Sequence, residues 1–462
     1  METVLVIGGG ITGLTTLFEL EKLLKQKQKK MRLILAEAEN RVGGKIRTVK
    51  NRGFIMETGA DSIVHRKMED ITLLSELGLE NEVVYNATGT SFLYTDGELK
   101  EIPHDSVFGI PAGIESLAKT TLVSAEGKVE ALRDFYLHDR MFSENDSVGE
   151  FLEYYLGKEF VEKQIAPVLS GVYSGSIYDL TIGTTLPYLL RYKEEYGSII
   201  KGLEANKDHF LGNSGKKFLS FKEGLSAITD TLAEKLEQTE ILLNKKAVRI
   251  EKDARFRVYF EDGHTVDADY IVLAVPHLQA KKLFTDAELQ TCFDELKSGS
   301  IISVYMGFEV PDDVLPANGT GFLNAGDKML DCGACTWTSR KWEHTSRDGN
   351  LLVRLFYKRN HPRFAQFMEM DDEDLVSTAI SDIEKTLGIK EKPSVYDVTK
   401  WDRQMPVYQL NHRETVGKLE AHLENHYCGI YLAGASYYGA GIPDCIENGY
   451  HTARKIINGA NA

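Results

Sequence analysis

Residues 3–26 read TVLVIGGGITGLTTLFELEKLLKQ, and this stretch predicts the fold of the first part of the chain. It opens with the apolar run VLVI, which is typical of a strand buried on both faces of a parallel sheet. Three glycines follow in the spacing Gly-x-Gly-x-x-Gly, at Gly8, Gly10 and Gly13. Leucine and phenylalanine then recur at helical spacing. The stretch therefore predicts a strand, a tight glycine turn and a helix.

A second apolar run, RLILAEA, predicts another strand that ends at Glu37. An acidic residue roughly 20 positions past the glycines completes the fingerprint of a dinucleotide-binding unit. In such a unit Gly8 allows the tight turn, Gly10 lets a pyrophosphate approach the backbone, and Gly13 lets the helix pack closely on the strand. The helix N-terminus attracts the phosphates, and the Glu37 carboxylate can accept hydrogen bonds from ribose hydroxyls.

Two further glycine-containing stretches indicate which dinucleotide is bound. EAENRVGGKIRT (37–48) places Gly44 and Lys45 shortly after the ribose carboxylate, and GFIMETGADSIV (53–64) adds a polar segment that contains Gly59 and Asp61. A nicotinamide coenzyme does not need these stretches. A bound FAD does, because its pyrophosphate and ribityl chain follow a longer path. The pattern E-x3-R-x-G-G-[RK] resembles the amine-oxidase-like FAD superfamily.

The rest of the chain predicts an α/β protein in which a Rossmann-like FAD-binding domain is discontinuous. Residues 106–205 are mostly helix-like, YIVLAVP (270–276) indicates a return to the FAD sheet, and residues 277–400 mix strands with helices. We therefore expect an inserted helical domain and an α+β substrate-binding domain. The expected divisions are 1–75, 206–276 and 401–462 for the FAD-binding domain, 76–205 for the helical domain and 277–400 for the substrate-binding domain.

Composition excludes several classes of function. The chain has 462 residues and a net charge of −15, which does not suit nucleic-acid binding and would repel an anionic substrate at long range. Its five cysteines are too few and too scattered for a disulfide framework, and the lone pair Cys332 and Cys335 lacks the partners of a metal site. No run is long and apolar enough to span a membrane, and VLVIGGG is not a signal peptide. We expect a cytoplasmic protein with no metal.

Further motifs narrow the resemblance. VIGGGITGL, EAENRVGGKI, LSGVYSG, CTWTSRKW, WDRQMPVY and GAGIPDCIENG occur in this order along nearly the whole chain. Together they resemble the protoporphyrinogen oxidase family, and within it the soluble Gram-positive type that acts on coproporphyrinogen III. The resemblance implies a non-covalent FAD enzyme of haem biosynthesis. It would use molecular oxygen to remove six electrons from coproporphyrinogen III, from protoporphyrinogen IX or from both, and release hydrogen peroxide.

The resemblance also implies the cofactor contacts. It places the pyrophosphate at residues 8–13, the ribose near Glu37 and Ala38, and adenine near Val248. It places the flavin near Trp401 and near residues 440–443. The implied cofactor-binding residues are Gly8, Gly9, Gly10, Ile11, Thr12, Gly13, Glu37, Ala38, Gly44, Lys45, Gly59, Ala60, Asp61, Ser62, Val248, Trp401, Ala440, Gly441, Ile442 and Pro443.

Substrate contacts are predicted from charge and from position. Propionate groups need cations, and SIVHRKMED offers Arg66 and Lys67 directly after the FAD segment, although a solvated basic turn would look the same. By analogy with the family, Tyr408 follows Trp401 near the flavin, where a core role fits equally well. His412 is a weak candidate for a general base. We assign no catalytic residue, because the flavin itself would accept the hydride.

Other functions stay open at this point. An amine oxidase or a carotenoid desaturase would share the FAD motifs, and a non-catalytic FAD-holding protein of the haem pathway is a third alternative. Besides substrate and oxygen, the compatible partners are the next enzyme of the haem pathway, in transient contact, and a membrane surface touched peripherally. In the tail, Asp444 and Glu447 resemble a capping box, which predicts a helix that begins at Asp444 and points its N-terminus at the flavin.

Overall fold

A computed structural model describes the chain except for residues 88, 139, 173–175, 212–215, 317, 410 and 460–462. The last three residues of the LSGVYSG motif therefore lie outside the described part. In chain order the strands are β1 (Glu2–Ile7), β2 (Met31–Ala36), β3 (Thr48–Asn51), β4 (Phe54–Glu57), β5 (Ile63–Val64), β6 (Val83–Tyr85), β7 (Thr90–Thr95), β8 (Glu98–Glu101), β9 (Ser106–Val107), β10 (Ile110–Pro111), β11 (Phe218–Phe221), β12 (Thr239–Leu242), β13 (Ala247–Lys252), β14 (Phe256–Phe260), β15 (Thr265–Ala268), β16 (Tyr270–Leu273), β17 (Lys297–Pro311), β18 (Gly319–Asn324), β19 (Ala334–Trp337), β20 (Asn350–Lys358), β21 (Val395–Val407) and β22 (Ile430–Leu432).

Helices connect and cover these strands. They are α1 (Ile11–Lys27), α2 (Leu73–Leu77), α3 (Ile114–Lys119), α4 (Ala125–Ala131), α5 (Val148–Leu156), α6 (Lys158–Phe160), α7 (Ala166–Val172), α8 (Ile182–Thr185), α9 (Tyr188–Tyr196), α10 (Ile199–Ala205), α11 (Lys207–Leu211), α12 (Ser226–Glu234), α13 (His277–Lys282), α14 (Ala287–Glu295), α15 (Thr338–Lys341), α16 (Phe364–Glu369), α17 (Asp372–Leu387), α18 (His412–His426) and α19 (Ile442–Gly459). Short 3-10 turns and one π-helical turn complete the described structure.

The first sheet is parallel and follows the strand order β12-β2-β1-β16-β22. Its central strand β1 is buried from Val4 to Ile7, as the apolar run predicts. β16 and β22 come from much later in the sequence, so the chain returns to this sheet, as expected. One face packs against α1, α12 and α19, and the other packs against β13–β15 and α18. The discontinuous Rossmann-like fold is confirmed.

The second large sheet has seven strands in the order β21-β17-β20-β19-β18-β7-β8. Helices α16 and α17 cover its apolar face. Asp371 accepts a hydrogen bond from the N–H of Asp374 at the start of α17, and Gly388 ends the helix in a left-handed conformation. The sheet takes β7 and β8 from the segment expected to be helical, and β21 extends it to Val407, beyond the expected boundary at residue 400.

A helical region forms a separate apolar core from α3 to α10. Ser147 accepts a hydrogen bond from the N–H of Glu150 at 3.3 Å, so it caps the N-terminus of α5. Asp134 is fully buried in this core and accepts the N–H groups of Ile199 and Ile200. This carboxylate satisfies the free N–H groups at the start of α10, which fixes that helix to the preceding segment.

Candidate functional site

The glycine turn after β1 combines tight packing with one open side. Gly8 has φ +109°, and a Cβ there would lie 2.5 Å from the carbonyl oxygen of Ala274. A Cβ at Gly13 would lie 2.1 Å from the carbonyl oxygen of Gly8. A Cβ at Gly10 would meet no heavy atom within 4 Å. The turn leads into the first N–H groups of α1, which have no partner within the helix. It therefore leaves space for an anionic group beside Gly10.

Glu37 is held beside this turn at the end of β2. Its carboxylate accepts the N–H of Gly9 at 2.6 Å and that of Glu39 at 2.9 Å, and only 8% of the residue is exposed. Lys245 donates its backbone N–H to the Glu37 carbonyl oxygen at 2.7 Å. Val248 follows three residues later on β13 and is 39% exposed. The predicted ribose and adenine residues thus lie on neighbouring segments.

The second glycine stretch lies directly against the first. Gly43 donates its N–H to the carbonyl oxygen of Gly9 at 2.8 Å, and a Cβ at Gly44 would lie 3.4 Å from the Cα of Gly10. Farther along, Lys45 donates its ammonium to the carbonyl oxygen of Gln404 at 2.6 Å, and burial lowers the pKa of Lys45. The stretch therefore runs from the first glycine turn toward the second sheet.

Residues 59–62 follow on the same path. A Cβ at Gly59 would lie 1.9 Å from the carbonyl oxygen of Lys45, so this glycine is required by the close approach of two backbone segments. Asp61 lies 3.1 Å from the ammonium of Lys341 and accepts the hydroxyl of Ser62 at 3.0 Å. Burial by itself would raise the pKa of Asp61. The charges of Lys341 and Arg354 outweigh burial and lower this pKa to about 2, so Asp61 is ionised.

Two side chains of the second sheet hold the carbonyl groups that precede Asp61. Arg354, on β20, is 4% exposed and donates one guanidinium nitrogen to the carbonyl oxygens of Thr58 at 3.2 Å and Gly59 at 2.9 Å. Trp401, on β21, donates its indole N–H to the same Thr58 oxygen at 3.0 Å. Sequence reasoning missed Arg354 and Lys341. The signal for Arg354 was a single arginine within the apolar run LLVRLF.

The packing of α19 on α1 brings the C-terminal turn (residues 434–444) next to the first glycine turn (residues 8–13). A Cβ at Gly449 would lie 2.9 Å from the Cβ of Thr15, so the two helices touch where α19 has no side chain. Gly434 lies against Thr12, with 3.3 Å between its would-be Cβ and the threonine hydroxyl, and donates its N–H to Asn448. The glycine-rich turn before α19 and the glycine turn before α1 therefore lie next to each other.

The predicted start of the last helix is wrong. The helix begins at Ile442, and the N–H of Cys445 donates to the carbonyl oxygen of Gly441 at 3.0 Å, so Asp444 lies in the first turn and does not cap it. Pro443 explains the earlier start, because its fixed φ and missing N–H suit the first turn of a helix. Gly441 and Ile442 still lie at the N-terminus of the helix.

Two of the predicted substrate residues meet at this C-terminal turn. The ammonium of Lys67 lies 2.8 and 3.1 Å from the two carboxylate oxygens of Asp444. Tyr408 donates its hydroxyl to the carbonyl oxygen of Ala435 at 2.5 Å, and burial raises the pKa of the phenol. Arg66 is exposed and makes no ion pair with the residues that the structure describes. Lys67 and Tyr408 thus contact opposite ends of residues 435–444.

His412 lies beside Tyr408, with 4.6 Å between the ring centres. One of its ring nitrogens is 3.0 Å from the carbonyl oxygen of Tyr437, and only a protonated nitrogen can donate to that oxygen. This contact favours a structural role over that of a general base. Across the described residues, no group of three or more His, Cys, Asp or Glu side chains is arranged to hold a metal ion. None of the helices in the described part is long and apolar enough to cross a membrane.

An open space beside Gly10, two helix N-termini and a carboxylate next to the first turn together fit a flavin dinucleotide. The comparisons with known proteins agree, since residues 11–457 match the family of flavin containing amine oxidoreductases. The chain belongs to this family. Within the flavin containing amine oxidoreductases it is 33% identical over 452 residues to the coproporphyrinogen III oxidase of Bacillus subtilis (strain 168), with 96% of each chain covered.

Two more relatives support the same placement. The coproporphyrinogen III oxidase of Staphylococcus aureus is 30% identical, with 99% of both chains covered. The crystal structure of a protein described as a putative protoporphyrinogen oxidase from Exiguobacterium sp. 255-15 superposes with a TM-score of 0.89, at 31% identity and with 98% of each chain covered. The family resemblance found in the sequence is therefore confirmed.

Proposed function

We propose that this flavin containing amine oxidoreductase oxidises coproporphyrinogen III to coproporphyrin III with bound FAD. Three molecules of oxygen would accept the six electrons and six protons and leave as three molecules of hydrogen peroxide. The activity for which the full-length relatives are named supports this substrate. The observation that carries the proposal is the gathering of Lys67 and Tyr408 at the C-terminal turn of a flavin-type site.

The proposed cofactor path follows the order of the sequence predictions. Residues 8–13 would hold the pyrophosphate, and Glu37 would bind the ribose with the lone pairs that its two N–H partners leave free. Residues 59–62 would line the path toward the flavin ring, and residues 440–443 would meet that ring at the start of α19. We propose that FAD is held without a covalent bond.

When bound, the flavin supplies the hydride acceptor. The chain's own residues then have two tasks. Lys67, with Arg66 beside it in the same 3-10 turn, would bind propionate groups of the substrate and orient the macrocycle. The N-terminus of α19 would place positive potential where negative charge develops in the reaction, which lowers the energy of the charged state.

One assay tests the proposed reaction. The purified protein should be yellow with a flavin absorption spectrum, and coproporphyrinogen III added in air should give coproporphyrin fluorescence. An oxygen electrode should record about three molecules of oxygen consumed for each porphyrin formed, as the electron balance requires. Colourless protein, or bound flavin with no porphyrin formation above the spontaneous rate, would refute the proposal.

The other candidate substrates serve as comparisons in that assay. Protoporphyrinogen IX carries two propionates where coproporphyrinogen III carries four, so the ratio of the two kcat/KM values tests the finer choice of substrate. An amine and a polyene test the alternatives that share the FAD motifs. The domain divisions, the cytoplasmic location, the peripheral membrane contact and the contact with the next enzyme of the pathway stay predictions.

A further inference from the structure

The strongest unassigned feature of the site is the partner of Lys67. Its ammonium contacts both carboxylate oxygens of Asp444, a residue 377 positions later in the sequence. The two side chains are 51% and 28% exposed, so the pair lies at the surface of the site. The cation predicted to bind a substrate carboxylate is therefore already bound to a carboxylate of the protein.

Asp444 is the fixed member of this pair. It lies in the first turn of α19, where a helix N-terminus stabilises a negative charge. Its side chain rests on the preceding turn, because a Cβ at Gly439 or Gly441 would lie 2.8 or 2.6 Å from Asp444 atoms. Lys67 reaches it through a long, flexible side chain from the 3-10 turn His65–Met68. If the pair separates, Lys67 moves and Asp444 stays.

Separation of such a pair costs little. An ion pair exposed to water contributes only weakly to stability, because water screens the attraction and both side chains regain freedom when it breaks. A propionate that approaches Lys67 offers the same charge and the same two oxygens as Asp444. An incoming carboxylate can therefore replace Asp444 as the partner of Lys67.

We propose that Asp444 holds Lys67 until a porphyrin carboxylate displaces it, and so sets the affinity of the site for carboxylated porphyrins. This inference rests on the proposed function. After the exchange, the Asp444 carboxylate remains close to the bound propionate and repels it. Asp444 therefore lowers the affinity for every carboxylated porphyrin, including the product, and favours product release.

The test measures binding of coproporphyrin III to the purified holoenzyme by fluorescence titration. Asp444→Asn frees Lys67 and removes the repulsion, so the Kd for coproporphyrin III should fall about threefold or more. The tetramethyl ester of coproporphyrin lacks the carboxylates, and its Kd should not change. Lys67→Ala should weaken binding of the free acid, and adding Asp444→Asn to Lys67→Ala should recover only the part due to repulsion.

Glu447→Gln is the matched control. It removes one negative charge from the same helix at an exposed position that has no ion pair among the described residues, and it should leave the Kd within about twofold. Asp444→Ser is a second uncharged variant, used if Asp444→Asn loses its flavin. Its hydroxyl oxygen can still accept a hydrogen bond in the first turn of α19. The flavin absorbance per protein is recorded for each variant.

The outcomes separate this inference from the proposed function. The inference is overturned if the Kd for coproporphyrin III is unchanged or higher in both Asp444 variants. It is also overturned if Glu447→Gln lowers this Kd as much as Asp444→Asn does. If Asp444→Asn lowers the Kd by the same factor in the wild-type protein and in Lys67→Ala, repulsion alone explains the effect. The proposed exchange of partners at Lys67 is then overturned. If the wild-type protein forms no porphyrin from coproporphyrinogen III, the proposed function fails instead, whatever the Kd values show.

Discussion

At the scale of single residues, the glycines of the first turn differ in what surrounds them. Side chains at Gly8 and Gly13 would overlap backbone atoms of the protein itself. Gly10 faces open space and has φ −72°, which any residue adopts. The protein's own packing therefore does not require a glycine at position 10, and the reason for it should be the ligand.

Gly10→Ala should consequently leave the stability of the flavin-free protein unchanged and raise the Kd for FAD about tenfold or more. The added methyl group would occupy the space proposed for the pyrophosphate. Gly417→Ala is the matched control, since a Cβ there also meets nothing within 4 Å but lies on α18, away from the glycine turn. Titration of the flavin-free proteins with FAD measures the effect. Equal Kd values for the two variants would contradict the proposed cofactor path.

Glu57 is a second residue whose surroundings make a measurable difference. It is 5% exposed, and burial raises its pKa to about 7, although the N–H of Leu225 and the hydroxyl of Thr48 oppose the shift. A carboxyl group with a raised pKa binds its proton more tightly in the folded state. Its contribution to stability is present below its ordinary pKa of 4.5 and is lost as the pH rises through 7.

Glu57→Gln should therefore gain stability relative to wild type as the pH rises from 5 to 8, by on the order of 3 kcal/mol. Urea unfolding of the holoenzyme at several pH values measures the difference. Glu424→Gln removes a carboxyl group from an exposed position on α18 and should follow wild type. A constant difference between Glu57→Gln and wild type over this range would show that Glu57 titrates at its ordinary pKa.

At the scale of elements, strands β20 and β21 of the seven-stranded sheet support the loop between β4 and β5. Arg354 and Trp401 bind the carbonyl oxygens of Thr58 and Gly59, and Arg354 also stacks 5.1 Å from the ring centre of Tyr305. A small apolar cluster of β4, β17, β20 and β21 residues lies at the same junction. The seven-stranded sheet therefore holds the backbone of this loop at Thr58 and Gly59.

Arg354→Met should destabilise the protein by about 1–3 kcal/mol, because it removes the side-chain donor of the Gly59 carbonyl oxygen and leaves the Thr58 oxygen with the Trp401 indole alone. It should also speed release of flavin, since the displaced loop is the one proposed to line the cofactor path. The control is Arg363→Met, which breaks an exposed ion pair with Asp331 and should cost less than about 1 kcal/mol. Urea unfolding and flavin release on dilution are the measurements. Similar losses for the two variants would show that Arg354 has no supporting role.

At the scale of the whole molecule, the net charge of −15 opposes the four carboxylates of the proposed substrate. The cations Arg66 and Lys67 act only near the site. At 0.01 M salt the field of the molecule reaches about 30 Å, whereas at 0.15 M it reaches about 8 Å. Long-range repulsion should therefore dominate the encounter at low salt.

The association rate constant of coproporphyrin III should rise roughly twofold or more between 0.01 and 0.15 M salt. Stopped-flow fluorescence measures it, and the uncharged tetramethyl ester should show no such rise. A rate constant that falls with added salt would mean that the local cations outweigh the net charge even at long range.

The sequence by itself determined the strand, glycine turn, helix and second strand at the start, the carboxylate at Glu37, and the family. These features are local, because each depends on residues within one βαβ unit or one motif. Tertiary structure decided that Lys67 contacts Asp444, that Arg354 and Lys341 support residues 58–61, and that α19 packs on α1 and begins at Ile442. These contacts join residues hundreds of positions apart, and the local pattern of each segment does not encode which distant side chains it meets. Only the packing of the two sheets and the two terminal helices brings them together.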